Sequence, residues 1–228
     1  MPDSTAPFGN PWHQKFRDPV SGLSHLLAAA AGVVGLAVLL WLGRTDLMKE
    51  ISLCIYGVSV IFLFSASAAY HLVRAEPAVI LRLRKLDHAA IYVLIAGSYT
   101  PICLHFFEGF WRWGLLAIIW GMALAGVIVK LFIIRAPRWA TAGIYLLMGW
   151  LSVMAVQEML RNMPPAALAW LVAGGLFYTV GAVIYITKKL DFYPGVFGFH
   201  EVWHNFVILG CLSHFIVVAG FIAPAGSP

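Results

Sequence analysis

The chain has 228 residues, of which 61% are hydrophobic and 11% charged, and its mean hydropathy is +0.86. An ordinary soluble domain carries about 25% charged residues, and one of this size could not hide so much apolar surface, so the composition excludes a soluble fold and indicates a polytopic membrane protein. A net charge of +5 then has no need of a nucleic-acid partner, and a disordered chain or a disulfide-stapled secreted domain is excluded as well. Cys54, Cys103 and Cys211 form no CxxC pair and sit in apolar runs, where they read as small buried hydrophobes.

Residues 1–18 are polar and carry Pro2, Pro7 and Pro11. They predict a short tail, not a signal peptide, because the apolar run after them is too long and lacks a small-residue cleavage site. Seven stretches without Asp, Glu, Lys or Arg follow: 19–43, 51–73, 88–107, 113–129, 139–157, 162–187 and 202–228. A helix rises about 1.5 Å per residue, so roughly 20 residues cross the hydrocarbon core. Each stretch, with its flanks, predicts one transmembrane helix. The fourth is short, but Lys130 can snorkel and residues 131–134 extend it. No alternation of the kind a barrel needs occurs, which leaves helices as the spanning structure. The expectation is an all-α integral membrane protein, with a single seven-helix domain over 19–228 and no internal repeat.

Orientation follows from lysine and arginine. With a cytoplasmic N-terminus, the inner segments hold eleven: Lys15, Arg17, Arg74, Arg82, Arg84, Lys85, Lys130, Arg135, Arg138, Lys188 and Lys189. The outer loops hold four, Arg44, Lys49, Arg112 and Arg161. This asymmetry predicts the N-terminus inside and the C-terminus outside, with the excess charge touching anionic lipid.

Ionisable residues within spans carry the functional signal. The alternating directions of the helices bring His71, near the end of the second span, to the same depth as Asp87, which opens the third, and His200 and His204, which open the seventh. His200 and His204 are four residues apart and share a face, as do Ser67 and His71. Three imidazoles with a carboxylate and a hydroxyl nearby match a catalytic-type zinc site of three protein ligands and a water. Imidazole also suits iron, nickel and copper. His105 and His214 lie nearer the other leaflet and read as packing residues; His25 and His88 read as outer partners or interface residues.

His200-Glu201-Val202-Trp203-His204 also matches HExxH, in which Glu201 would be the general base of a metalloprotease. No Asp or Glu follows Glu201 to supply the further ligand, and position 210, where a metzincin needs histidine, is Gly210.

Ser67-x3-His71, Asp87-His88-Ala-Ala-Ile91, Gly97-Ser98-Tyr99-Thr100-Pro101 and His200-x3-His204, in this order, resemble the hemolysin III family from about His25 to Phe221. That family is the bacterial branch of the progestin and adipoQ receptors and is related more distantly to the alkaline ceramidases. The resemblance implies a seven-helix bundle with zinc near the cytoplasmic face, held by His71, His200 and His204, with Asp87 and Ser67 at a zinc-bound water. With the open three-histidine site, Asp87 and Ser67, the expectation is a zinc-dependent hydrolase of a lipid amide or ester in a bacterial inner (plasma) membrane, acting on a membrane lipid or other acyl lipid that enters from the inner leaflet. Two other classes stand beside this: a receptor or membrane-state sensor with structural zinc, and a cytolysin or pore, although no helix carries regularly spaced polar residues. The long cytoplasmic N-terminal region of the animal receptors has no counterpart in this sequence.

Overall fold

The computed structural model describes residues 15–44, 46–133, 136–193 and 196–225. The tail predicted over 1–18 falls mostly outside them, as does Arg135. Among the described residues the chain is helical: α1 (Pro19–Gly43), α2 (Leu47–Leu72), α3 (Pro77–Phe106), α4 (Gly109–Phe132), α5 (Arg138–Trp150), α6 (Val156–Asn162), α7 (Pro165–Thr187) and α8 (Phe199–Val217), with a π-helical turn over Val218–Ile222. Seven segments of 23 to 30 residues are long and apolar enough to cross a membrane, α5 and α6 forming one of them. The outer surface fits that setting. Leu27 is 72% exposed and Phe132 80%, and large apolar faces of this kind require lipid around them.

Local sequence sets the helix starts. Pro19, Pro77 and Pro165 occupy first-turn positions, where a fixed φ helps and no backbone N–H is missed. Asp46 caps α2 by accepting from the Lys49 N–H at 2.9 Å. In α8 the Glu201 carboxylate turns back to accept from the Gly198 N–H at 2.8 Å.

The bundle forms by neighbour packing: α1 on α2, α2 on α3, α3 on α4, and α7 on α8, which returns to α1. The larger core cluster, with Leu53, Tyr56, Ile119, Met148 and Val217, is fully buried. A smaller one holds Ala29, Leu63, Phe64, Ala90 and Leu94. Close packing relies on glycine at two positions, since a methyl at Gly126 would overlap the Tyr92 ring and one at Gly174 the His214 ring. Gly121, by contrast, faces open space.

Two expectations change in detail. The third helix begins at Pro77, eleven residues before the charge-free stretch, because Arg82, Arg84 and Lys85 are carried on its first, interfacial turns. Asp87 therefore lies about 15 Å along α3 and is buried, not at the helix start. The fifth span is not one helix: it breaks over Leu151–Ala155 into a 3-10 turn. The Tyr99 hydroxyl from α3 satisfies this break. It lies 2.9 and 2.8 Å from the carbonyl oxygens of Met148 and Gly149 and accepts from the Ser152 N–H at 2.8 Å. Backbone groups freed inside a bilayer need such partners.

Candidate metal centre

Two helices, α2 and α8, bring His71, His200 and His204 together at one end of the bundle. One ligand atom from each lies within 4.8 Å of the others. His71 Nε2 and His200 Nε2 are 3.5 Å apart, close to the roughly 3.4 Å expected of two nitrogens on one tetrahedral zinc at 2.0–2.1 Å. His71 and His204 are almost completely buried, and His200 is partly exposed. His204 Nδ1 is enclosed without a hydrogen-bond partner. A buried polar atom left unpaired costs about 1–3 kcal/mol, so the donor set fits a bound metal ion. These three form the one such group found among the described residues.

The surroundings fix the rings. His71 Nδ1 lies 3.0 Å from Asp18 Oδ2, and the Asp18 N–H donates to the His71 carbonyl at 2.8 Å. The start of α1 is thus tied twice to the end of α2. With Nδ1–H given to Asp18, Nε2 of His71 is the free electron pair, turned towards His200. The hydrogen bond from His71, helped by the nearby Arg17 guanidinium, holds the Asp18 carboxyl below the ordinary aspartate range despite partial burial. Sequence reading missed Asp18 by assigning it to the tail; its position directly before the first span, at the depth of the histidines, was the available signal. From α1, His25 stacks on His204 at 4.0 Å and 28°, and meets Phe64 edge-on at 4.9 Å. It contacts a cluster member without belonging to the group.

Asp87 is buried and lies outside the three-histidine group. Its Oδ2 is 3.5 Å from His88 Nδ1, which lies 2.9 Å from the Arg84 carbonyl oxygen. Ser67, one turn before His71, is buried and lines an interior cavity of about 290 Å³, mostly apolar, that extends along the bundle between Asp87 and Phe107. A second cavity of about 360 Å³ opens at the histidine end and is lined by Asp18, His71, His200, Arg84 and Arg138. Asp87 and Trp203 line both.

Glu201 is committed elsewhere. Its Oε1 accepts from the Ser21 hydroxyl of α1 at 2.9 Å and its Oε2 from the Gly198 N–H. It fastens α8 to α1. His105 and His214 stay away from the cluster; His214 lies ten residues beyond His204 on α8, about 15 Å along the axis. Cys54, Cys103 and Cys211 are free thiols.

These features define a class: a multi-pass integral membrane protein of seven helices, with a three-histidine cluster that could hold a metal ion. The particular family follows from comparison with known proteins. The profile of the family described as haemolysin-III related matches residues 13–215, and the chain belongs to that family. It is 37% identical over 177 residues to Hemolysin-3 of Bacillus cereus, covering 78% of each chain. It is 36% identical over 168 residues to the Hemolysin-3 homolog of Bacillus subtilis (strain 168), covering 74% of this chain and 76% of that one. A more distant match, 25% identical over 213 residues, is to the adiponectin receptor protein of Drosophila melanogaster and covers 84% of this chain and 48% of that one. This supports the wider group of progestin and adipoQ receptors, and the bacterial relatives point to the plasma membrane.

Proposed function

We propose that the protein is a zinc-dependent hydrolase of a lipid amide or ester, with its histidine end facing the cytoplasm. The observation that carries this reading is the separation of roles at the site: three imidazoles form a group, and a buried carboxylate, Asp87, lines the same cavity without joining it. Structural zinc sites usually take four protein ligands, whereas hydrolytic ones leave a position open. His71, His200 and His204 would hold the ion. Zinc there would polarise an acyl carbonyl and lower the pKa of a water towards about 7.

The remaining steps belong to the chain's own residues. The acyl chain occupies the apolar interior cavity, which sets the carbonyl at the level of Asp87 and Ser67. Asp87 accepts a proton from the attacking water as the water oxygen bonds to the carbonyl carbon. Ser67 donates a hydrogen bond to the developing oxyanion. Asp87 then returns the proton to the departing amine or alcohol as the carbon–nitrogen or carbon–oxygen bond breaks. The surrounding apolar residues keep other water from the intermediate.

The test is metal content together with lipid turnover in detergent-purified protein. Asp87→Ala should keep one zinc per chain and lose hydrolysis of acyl-amide and acyl-ester lipids. A wild-type protein that binds zinc and hydrolyses neither class would leave the receptor or sensor reading.

A further inference from the structure

The outer cavity has a charge pattern that zinc hydrolysis alone does not require. Its carboxylates are already engaged: Asp18 with His71 and Arg17, Glu201 with Ser21 and the Gly198 N–H, and Asp87 beside His88. Its two guanidiniums are not. Neither Arg84 nor Arg138 forms an ion pair with a carboxylate among the described residues. Arg138 is nonetheless held in place. Its guanidinium lies 5.2 Å from the ring centre of Tyr185 and 5.2 Å from that of Phe199, and Tyr185 stacks on Trp203 at 4.5 Å and 28°. Arginine, two aromatic rings and the wall shared with the inner cavity thus form one continuous stack. A third cation, the buried Lys130 ammonium, donates to Thr141 Oγ1 at 3.1 Å, and Thr141 lines the same cavity.

A pre-positioned guanidinium without a carboxylate partner is a receptor for an anion, because its planar fork matches a phosphate or carboxylate. The inner cavity offers almost only apolar surface, the outer one these cations, and Asp87 lies between. We propose that the outer cavity recognises the negatively charged headgroup of a membrane acyl lipid, which pairs with Arg84 and Arg138 while the acyl chain runs past Asp87 into the inner cavity. This deepens the reading above by naming its substrate class, an anionic lipid, and rests on that reading for the chemistry at Asp87.

Binding is measured apart from turnover. Native mass spectrometry of the zinc-loaded, detergent-purified protein would compare lysophosphatidylglycerol with zwitterionic lysophosphatidylcholine of the same acyl chain, with glycerol 3-phosphate as the soluble anion. The expected result is a preference of about tenfold or more for the anionic lysolipid, in line with two charge-assisted contacts. Arg84→Gln with Arg138→Gln should abolish it, and Lys189→Gln, a cation at the same end outside the cavity, should preserve it. Equal binding of the two lysolipids would overturn the proposal. So would a preference that survives the double substitution, or one that falls equally with Lys189→Gln. Glycerol 3-phosphate binding as tightly as the lysolipid would assign the site to a soluble anion and overturn the lipid assignment. A preference without hydrolysis keeps this inference and removes the hydrolase; hydrolysis without a preference does the reverse.

Discussion

Asp18 and His71, 53 positions apart in sequence, meet through Oδ2 and Nδ1 at 3.0 Å and again through the Asp18 N–H and the His71 carbonyl at 2.8 Å. A carboxylate on the far nitrogen of a metal-binding imidazole fixes its tautomer and raises its basicity. Asp18→Asn should therefore weaken zinc binding by about 10- to 100-fold while leaving the helical content unchanged. Competition with a chromogenic chelator reads the affinity, and an unchanged constant would remove Asp18 from the site.

His71→Ala and His204→Ala should each lose the metal, because one imidazole fewer leaves two nitrogens on an ion that prefers four ligands. His105→Ala should retain it, since that ring lies against Phe106 away from the cluster. Inductively coupled plasma mass spectrometry of the purified variants decides between them.

Asp87 and Ser67 should separate by magnitude. Asp87→Ala is expected to abolish turnover at full metal occupancy. Ser67→Ala should lower kcat by about 10²–10³ if its hydroxyl meets the oxyanion. A Ser67→Ala rate equal to wild type would reduce this residue to packing.

Glu201 distinguishes the hydrolase from the HExxH reading. A protease would lose activity with Glu201→Gln. Here both carboxylate oxygens are held by Ser21 and Gly198, so the substitution should cost about 1 kcal/mol of stability through weakened hydrogen bonds and leave lipid turnover near wild type. Thermal unfolding and kcat measured on the same preparation give both quantities.

The inner cavity should limit chain length. Ala142 lines it and is buried, so Ala142→Phe would fill part of the space. Long-chain substrates should then lose kcat/KM far more than short-chain ones. An equal loss for both would show that the acyl chain lies elsewhere.

The spans were legible because each helix in a bilayer must be apolar along its whole length, so the charges of the loops mark the boundaries directly. His200 and His204 were legible as a pair because four residues make one helical turn, and His71 joined them because alternating helix directions fix depth. The break at Leu151–Ala155 left no such mark: its freed backbone groups are satisfied by Tyr99, some fifty residues earlier, and no local pattern encodes that. The same holds for Glu201. Its spacing suggested a catalytic base, and only the approach of Ser21 shows the carboxylate bridging two helices.

The sequence by itself determined the seven helical spans, the family and the histidines that share one depth, because length, hydropathy and helical periodicity act along the chain. The tertiary structure decided which groups face one another across it: Asp18 on His71, His25 on His204, Asp87 between an apolar cavity and a polar one that holds Arg84 and Arg138. Those relationships depend on how helices rotate and pack about their axes, and that is set by side chains meeting from distant segments.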